Sequence, residues 1–203
     1  MNAVASLDAL ICERRVWRGR PAPLPAGEQP TGLPVLDAAL PARGWPEASL
    51  SEILIPVDGV GELQLVLPTV ARLTRRGERV VVVSPPYCLH APAWQAAGVA
   101  LDWLAIVAAP SGEMAWTMEQ CLRSGSCAAV LGWLPRADDR SLRRLQIAAA
   151  AGRALGFVFR DRAALGNPSP SALRIEIEAT PPRLCVRKCR GGNPPAPIAF
   201  ARA

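Results

Sequence analysis

Short apolar runs recur along this chain, and each is bounded by residues that favour turns. The runs are Ser51–Ile55, Arg79–Ser84, Leu104–Ala108, Cys127–Leu134 and Leu155–Arg160. Unbroken apolar runs of this length are typical of strands in a parallel sheet that is buried on both faces. The pattern therefore predicts the central strands of such a sheet.

Between these runs, apolar residues recur every three or four positions, which is the period of an amphipathic helix. The predicted helices are Thr31–Leu40, a stretch with Leu63, Val66, Leu67, Val70 and Leu73 on one side, Pro92–Ala97, Gly112–Arg123 and Asp138–Gly152. Strands that alternate with helices in this order build a mainly parallel sheet with helices packed on it.

The last two predicted strands have a different pattern. Ala172–Glu178 alternates apolar and charged residues, and Arg183–Lys188 follows across a turn at Thr180-Pro181-Pro182. Alternation across a short turn predicts an antiparallel hairpin. The predicted fold class is α/β, a mainly parallel sheet flanked by helices with an antiparallel C-terminal hairpin at its edge.

Proline-rich stretches divide the chain into three regions. Residues 1–30 combine a predicted helix, Ser6–Trp17, with a proline-rich tether, residues 31–190 contain the core, and residues 191–203 form a predicted flexible tail. Closely spaced prolines can neither continue a helix nor join a sheet. The N-terminal helix either folds back on its own core or docks on a neighbouring molecule.

Basic residues outnumber acidic ones, 23 to 17, which gives a net charge of +6 and a pI near 9.5. This balance favours an anionic partner such as nucleic acid. The candidate contacts to DNA phosphates are Arg160, Arg162, Arg187, Lys188 and Arg190. The alternative for these side chains is a solvated charged edge that prevents sheets from aggregating.

The chain has six cysteines without a C-x-x-C pair and a single histidine, His90. A zinc site is therefore not expected, and the cysteines are expected to be reduced thiols of a cytoplasmic protein. The chain has no signal-peptide pattern and no uninterrupted apolar run of about 18 residues. We expect a soluble protein of the cytoplasm.

The turn Pro56–Gly61 lies between a strand and a helix, as does the phosphate-binding loop G-x-x-x-x-G-K-[ST]. Gly59 and Gly61 supply glycines, but Pro56 takes the first glycine position. Glu62 replaces the lysine and Leu63 replaces the hydroxyl residue. A carboxylate at this position repels a triphosphate. We predict a degenerate P-loop that binds no nucleotide and needs no cofactor.

Nucleotide hydrolysis also needs an acidic residue at the end of a buried strand, where it organises magnesium and water. One predicted strand ends instead in Trp133, Leu134 and Pro135, and another in Ser84, Pro85 and Pro86. Neither end supplies a carboxylate. We therefore predict that the protein is not an enzyme.

Several apolar side chains are candidates for partner binding. They are Leu7, Leu10, Ile11 and Trp17 of the N-terminal helix, Trp133 at a strand end, and Ile198 and Phe200 beyond a proline spacer. Exposed tryptophans and leucine-rich helix faces are common anchors of protein interfaces. The alternatives are packing in the protein's own core and, for the tail, a frayed terminus.

Several strings resemble the RecA recombinase core in register across residues 30–190. They are Thr31–Asp37, Gly44-Trp45-Pro46, Ser51-Glu52-Ile53, Arg79–Ser84, Gly98-Val99, Ser124-Gly125 and Cys127–Leu131. Within that superfamily, four further strings resemble the ImuA proteins, which are accessory factors of bacterial damage-induced mutagenesis. They are Asp58–Leu63, Gly132–Asp138, Leu142–Gln146 and Cys189–Gly192.

The resemblance implies a RecA-like, non-catalytic accessory protein of the SOS response and translesion DNA synthesis. It would act with ImuB, which is a polymerase-like protein, with an error-prone replicative-type DNA polymerase, and possibly with RecA. It would associate with the nucleoid during the damage response and could form homo-oligomers. Two alternatives stay open: a SulA-type cell-division inhibitor that binds the division tubulin, and a DNA-stimulated ATPase.

Overall fold

The computed structural model describes residues 29–200, and its strands form one mixed sheet of eight. The strands are β1 (Leu50–Ile55), β2 (Val80–Val83), β3 (Leu104–Val107), β4 (Ala129–Trp133), β5 (Leu155–Asp161), β6 (Leu173–Ala179), β7 (Pro182–Cys189) and β8 (Ile198–Ala199). Their order across the sheet is β3-β2-β4-β5-β1-β6-β7-β8. The first six in this order pair in parallel, and β6-β7 and β7-β8 pair antiparallel.

Helices cover both faces of the sheet. They are α1 (Pro34–Ala39), α2 (Glu62–Arg75), α3 (Ala91–Ala96), α4 (Met114–Arg123) and α5 (Asp139–Gly152), with short 3-10 turns at Leu101–Trp103 and Arg162–Gly166. None of the helices within residues 29–200 has the length and hydrophobicity that crossing a bilayer requires.

Two apolar clusters lie on opposite faces of the sheet. In one, Leu65 and Val70 of α2 belong to the same buried cluster as Phe157 of β5. In the other, Leu122 of α4 and Leu145 of α5 belong to a buried cluster with the remaining face of the central strands. Successive side chains of a strand point to opposite faces, which is why the unbroken apolar runs serve both clusters.

Trp45 ties the segment before β1 into the core. Its ring is fully buried and meets Phe157 edge on, with ring centroids 4.8 Å apart. Its indole Nε1 donates a hydrogen bond of 2.8 Å to Thr69 Oγ1 on α2. The Thr69 hydroxyl in turn lies 3.3 Å from the carbonyl oxygen of Pro30. One buried polar contact therefore holds the chain entry, α2 and the sheet together.

Pro68 lies within α2, and the helix continues through it to Arg75. Gly32 comes so close that a Cβ on it would overlap the Pro68 ring. The backbone of Gly32 is also left-handed, with φ +86°. Glycine is therefore needed at position 32 for both conformation and space.

The C-terminal part of the chain differs from its prediction. The hairpin of β6 and β7 is present, but β8 pairs with β7 and so takes the edge position. Phe200 follows β8 and is only 4% exposed within the α2-side cluster. Residues 198–200 are thus part of the sheet and core, where a flexible tail was predicted.

The predicted RecA-like fold with a degenerate P-loop is wrong, because the turn before α2 does not form a phosphate-binding loop. The structure has a mixed eight-stranded sheet, mostly parallel, with an antiparallel C-terminal hairpin and flanking helices. In the turn before α2, the Gly59 amide donates to the Glu62 carboxylate at 2.8 Å. An amide that would have to face a phosphate is used within the turn itself.

We predict that Thr69→Val lowers the free energy of unfolding by about 1–3 kcal/mol, because it leaves the buried Trp45 N–H without an acceptor. Thr69→Ser keeps the hydroxyl and should cost less. Urea unfolding followed by tryptophan fluorescence measures both. Equal losses for the two variants would show that the methyl group, and not the hydrogen bond, matters at this position.

Candidate protein-docking site

The turn between β1 and α2 is stabilised by hydrogen bonds to the carboxylate of Glu62. Gly61 caps α2 with φ +104° and ψ 11°, a conformation that side-chain-bearing residues rarely adopt. Glu62 follows as the first residue of α2, and its side chain is buried. Its Oε1 accepts from the Gly59 amide at 2.8 Å and from the Tyr87 hydroxyl at 3.0 Å. The carboxylate thus occupies the inside of the turn.

Negative charge accumulates at this turn. Burial raises the pKa of Asp58, and the neighbouring charge of Glu62 raises it further. Burial and the same carboxylate also raise the pKa of Tyr87 well above its ordinary value. Both shifts indicate a region that disfavours additional negative charge. A phosphate group would be repelled here for the same reason.

Phe200 packs directly against the turn. A Cβ built on Gly61 would lie 2.9 Å from Phe200 Cε1. Ile198, two residues earlier, is half-buried in β8 and packs against the same cluster. Phe200 and Ile198 were predicted to bind a partner. In this structure Phe200 instead serves the protein's own core.

A cavity of about 460 Å³ lies beside the turn, at the carboxyl ends of the parallel strands β1, β2, β4 and β5. In open α/β sheets, ligands bind at this end of the strands. The walls are mostly apolar and come from strand ends and the loops that follow them. The lining residues are Ile55, Pro56, Val57, Asp58, Ser84, Pro86, Met114, Trp133, Pro135, Phe159, Arg160 and Asp161.

Trp133 is part of the cavity lining. Its ring stacks on Phe159 with centroids 4.4 Å apart and meets Tyr87 edge on at 5.8 Å. It is only 4% exposed, so it cannot project into a partner as an anchor. Its indole Nε1 is buried and has no hydrogen bond acceptor among the described residues. Trp133 therefore forms part of the cavity wall.

An ionic cluster lies below the cavity, on the sheet face that α2 does not cover. Glu52 of β1 is fully buried and forms ion pairs with Arg160 of β5 and with Arg174 of β6, the latter at 2.6 Å. Arg160 also donates to the carbonyl of Ala137 at 2.6 Å. Arg174 donates to carbonyls of the 3-10 turn that follows β5, including Ala164 at 2.6 Å. Each buried charge of this cluster thus has an oppositely charged partner, while the Nε of Arg160 has no hydrogen-bond acceptor among the described residues.

The predicted nucleic-acid contacts are used within this part of the sheet. Arg160 is 2% exposed and pairs with Glu52. Arg162 and Arg187 both pair with the buried Glu176, each with a contact of 2.5 Å. Lys188 donates to the carbonyl of Ser169 at 2.7 Å, and Arg190 is exposed. Carboxylates thus engage three of the five predicted contacts, Arg160, Arg162 and Arg187, and DNA binding through this basic patch stays a prediction.

Other predicted features carry no site in the described part of the chain. No group of three metal-ligating residues occurs within residues 29–200. Among those residues the cysteines are unpaired thiols, and Cys127, Cys185 and Cys189 are buried. The N-terminal candidates Leu7, Leu10, Ile11 and Trp17 lie outside the described residues.

Sequence reasoning missed Glu52, Arg174 and Glu176 as buried charges. The alternating pattern of β6 predicted a hairpin strand but not the burial of its charged side chains. The 3-10 turn Arg162–Gly166 covers the charged face, as the bonds from Arg174 to Ala164, Leu165 and Asn167 show. The sequence signal for these buried charges was the occurrence of opposite charges on neighbouring strands, as for Glu52 and Arg174.

The fold and the turn together define a class: an α/β protein in which the turn after β1 holds a buried carboxylate beside an apolar cavity. A comparison with protein families finds a match over residues 49–156 to the family model described as cell division inhibitor SulA. This match covers just over half of the chain. The chain belongs to the SulA family.

Curated relatives are similar over shorter stretches. SulA of Edwardsiella piscicida is 48% identical over 50 residues, which are 25% of this chain and 30% of that protein. SulA of Yersinia enterocolitica is 30% identical over 113 residues, which are 55% of this chain and 67% of that protein. The chain thus spans about a third of the first relative and two thirds of the second. The crystal structure of SulA from Pseudomonas aeruginosa superposes with a TM-score of 0.48 at 24% identity, covering 57% of this chain and 98% of that one.

The assignment to the ImuA proteins is wrong, since the comparisons find SulA in the family model and in the curated relatives. The predicted role in translesion synthesis is corrected with it. ImuB, an error-prone polymerase and RecA are likewise not supported as partners. The strings that suggested ImuA include turn and strand-end segments that lie within the matched SulA region, such as 58–63 and 132–138.

We predict that Glu52→Gln lowers the free energy of unfolding by about 3–5 kcal/mol, because two buried guanidinium groups lose their carboxylate. Glu119→Gln is the matched control. Glu119 also bridges two arginines, Arg123 and Arg144, but both are 52% exposed. The control should cost about 1 kcal/mol, because water can solvate its partners.

Chemical denaturation of the two purified variants measures this difference. Similar losses for Glu52→Gln and Glu119→Gln would contradict the role given to burial.

A second prediction concerns the turn. Gly59→Ala should cost about 1–2 kcal/mol from backbone strain alone, since φ is +84° and nothing lies within 4 Å of the added Cβ. Gly61→Ala should cost about 3 kcal/mol or more, because its Cβ also displaces Phe200. In a Phe200→Leu background the additional cost at Gly61 should shrink. An unchanged difference would show that Phe200 does not press on the turn.

Proposed function

We propose that this protein is a non-catalytic inhibitor of cell division that acts by binding the division tubulin. The observation that carries the proposal is the family match over residues 49–156. The matched region contains β1, the turn with Glu62 and most of the cavity wall. Glu62, Trp133 and most of the cavity wall therefore fall in the part of the chain that is shared with the family.

The chemistry of the turn supports inhibition by binding without turnover. A phosphate would have to displace Glu62 from the Gly59 amide and from Tyr87 and would then lie beside its charge. The opposing carboxylate makes this unfavourable. We therefore propose that the protein inhibits as a stoichiometric binder. The cytoplasm is the proposed location, because the proposed partner is there.

We expect the purified full-length protein to block GTP-dependent assembly of the division tubulin from the same organism. Light scattering should fall in proportion to the added protein and reach its minimum near a one-to-one ratio, because each bound molecule removes one subunit. ATP should neither be hydrolysed nor change the effect. Serum albumin at equal concentration is the control for nonspecific effects.

Normal assembly in a severalfold molar excess of the protein would contradict the proposal. ATP turnover during inhibition would contradict its non-catalytic part.

A further inference from the structure

The cavity at the strand ends has the properties of a receiving site for one apolar side chain. Its volume of about 460 Å³ is within the range of ligand pockets, and its walls include Val57, Met114 and the Trp133 ring. Ser84 in the wall has φ +43°, and its Oγ accepts from the Ala109 amide at 2.8 Å, which fixes the end of β2. This hydrogen bond thus holds the part of the wall that follows β2 in place.

Two buried polar atoms of the lining residues, Trp133 Nε1 and Arg160 Nε, have no hydrogen-bond partner among the described residues. Trp133 is buried, and its indole N–H has no acceptor among the described residues. A buried donor without an acceptor costs free energy, and a ligand that supplies an oxygen recovers it. Since Trp133 lines the cavity, an occupant with a carbonyl oxygen is the complementary chemistry.

The charges at the rim select the occupant further. Asp58 and Asp161 line the cavity and are exposed. Arg160 is the cation among the described lining residues, and it is buried against Glu52. The exposed charges at the rim are therefore those of the two aspartates, although the whole chain carries +6.

We propose that this cavity binds a short segment of a partner protein that presents an apolar side chain next to arginine or lysine. The apolar side chain fills the cavity, a carbonyl of the segment accepts from Trp133 Nε1, and the basic side chain pairs with Asp58 and Asp161. This inference rests on the proposed function in one respect, namely that the partner is a protein.

A peptide experiment tests the cavity without the division tubulin. The full chain has three methionines, of which Met114 lines the cavity and Met118 is fully buried in α4. With methyl-labelled methionine, the peptide Ac-Gly-Leu-Arg-Gly-NH2 at millimolar concentration should shift the Met114 signal and leave Met118 unchanged. Ac-Gly-Leu-Glu-Gly-NH2 should bind much more weakly, because the rim repels its charge.

Two variants separate the contribution of the Trp133 hydrogen bond from that of the two aspartates. Trp133→Phe retains an aromatic ring and should weaken binding of the arginine peptide about tenfold, because the hydrogen bond is lost. Asp58→Asn combined with Asp161→Asn should weaken it about fivefold through two exposed charge pairs. An unchanged Met118 signal confirms that each variant is folded. An unchanged chemical shift of Met114 on adding the arginine peptide, or equal binding of the two peptides, would overturn the proposal.

A second measurement links the cavity to the partner. Val57 at the cavity and Val35 on α1 are 62% and 66% exposed, so they form a matched pair. Val57→Glu should weaken binding of the division tubulin at least about tenfold, because it places a charge in the apolar site, and Val35→Glu should not. Equal binding of the two variants would refute the docking site while leaving the proposed function intact. Failure of the unmodified protein to bind would refute the proposed function, and the peptide result would still decide the cavity.

Discussion

The contact between Glu52 and two arginines organises the half of the sheet on which the site depends. Glu52 lies on β1, and its partners Arg160 and Arg174 lie on the strands to either side. A buried carboxylate without partners would be strongly unfavourable, and so would either guanidinium. The three charges therefore fix the register of β5, β1 and β6 together. Arg174 extends this constraint to the 3-10 turn that closes the face.

The same contact determines the electrostatics of the cavity. Arg160 lines the cavity but is buried against Glu52, and Arg162 and Arg187 share the buried Glu176. What remains at the rim is the negative charge of Asp58 and Asp161. The net charge of the chain therefore says little about this surface. An interface for nucleic acid would need basic groups that are free of carboxylate partners. Three of the five predicted groups, Arg160, Arg162 and Arg187, are paired with carboxylates.

The central strands and the long helices could be predicted from the sequence because their apolar periods are strong and local. The positions of Glu52, Arg174 and Phe200 could not be predicted in this way. Their environment is set by contacts between segments far apart in the chain, such as β1 with β5 and β6, and Phe200 with Gly61. An alternating strand pattern also does not tell a solvated face from one covered by a turn.

The turn before α2 explains how a common order of elements led to a wrong family. Strand, glycine turn and helix are common to many α/β proteins, and strings that follow this order resemble one another for reasons of packing. Function depends on what fills the turn. Here a buried carboxylate bonds to Gly59 and Tyr87, and an aromatic ring, Phe200, closes the outside. Once this position is filled by the protein itself, the neighbouring cavity with the unpaired Trp133 N–H is the place left for a ligand, and its walls favour an apolar, basic-flanked protein segment over a nucleotide.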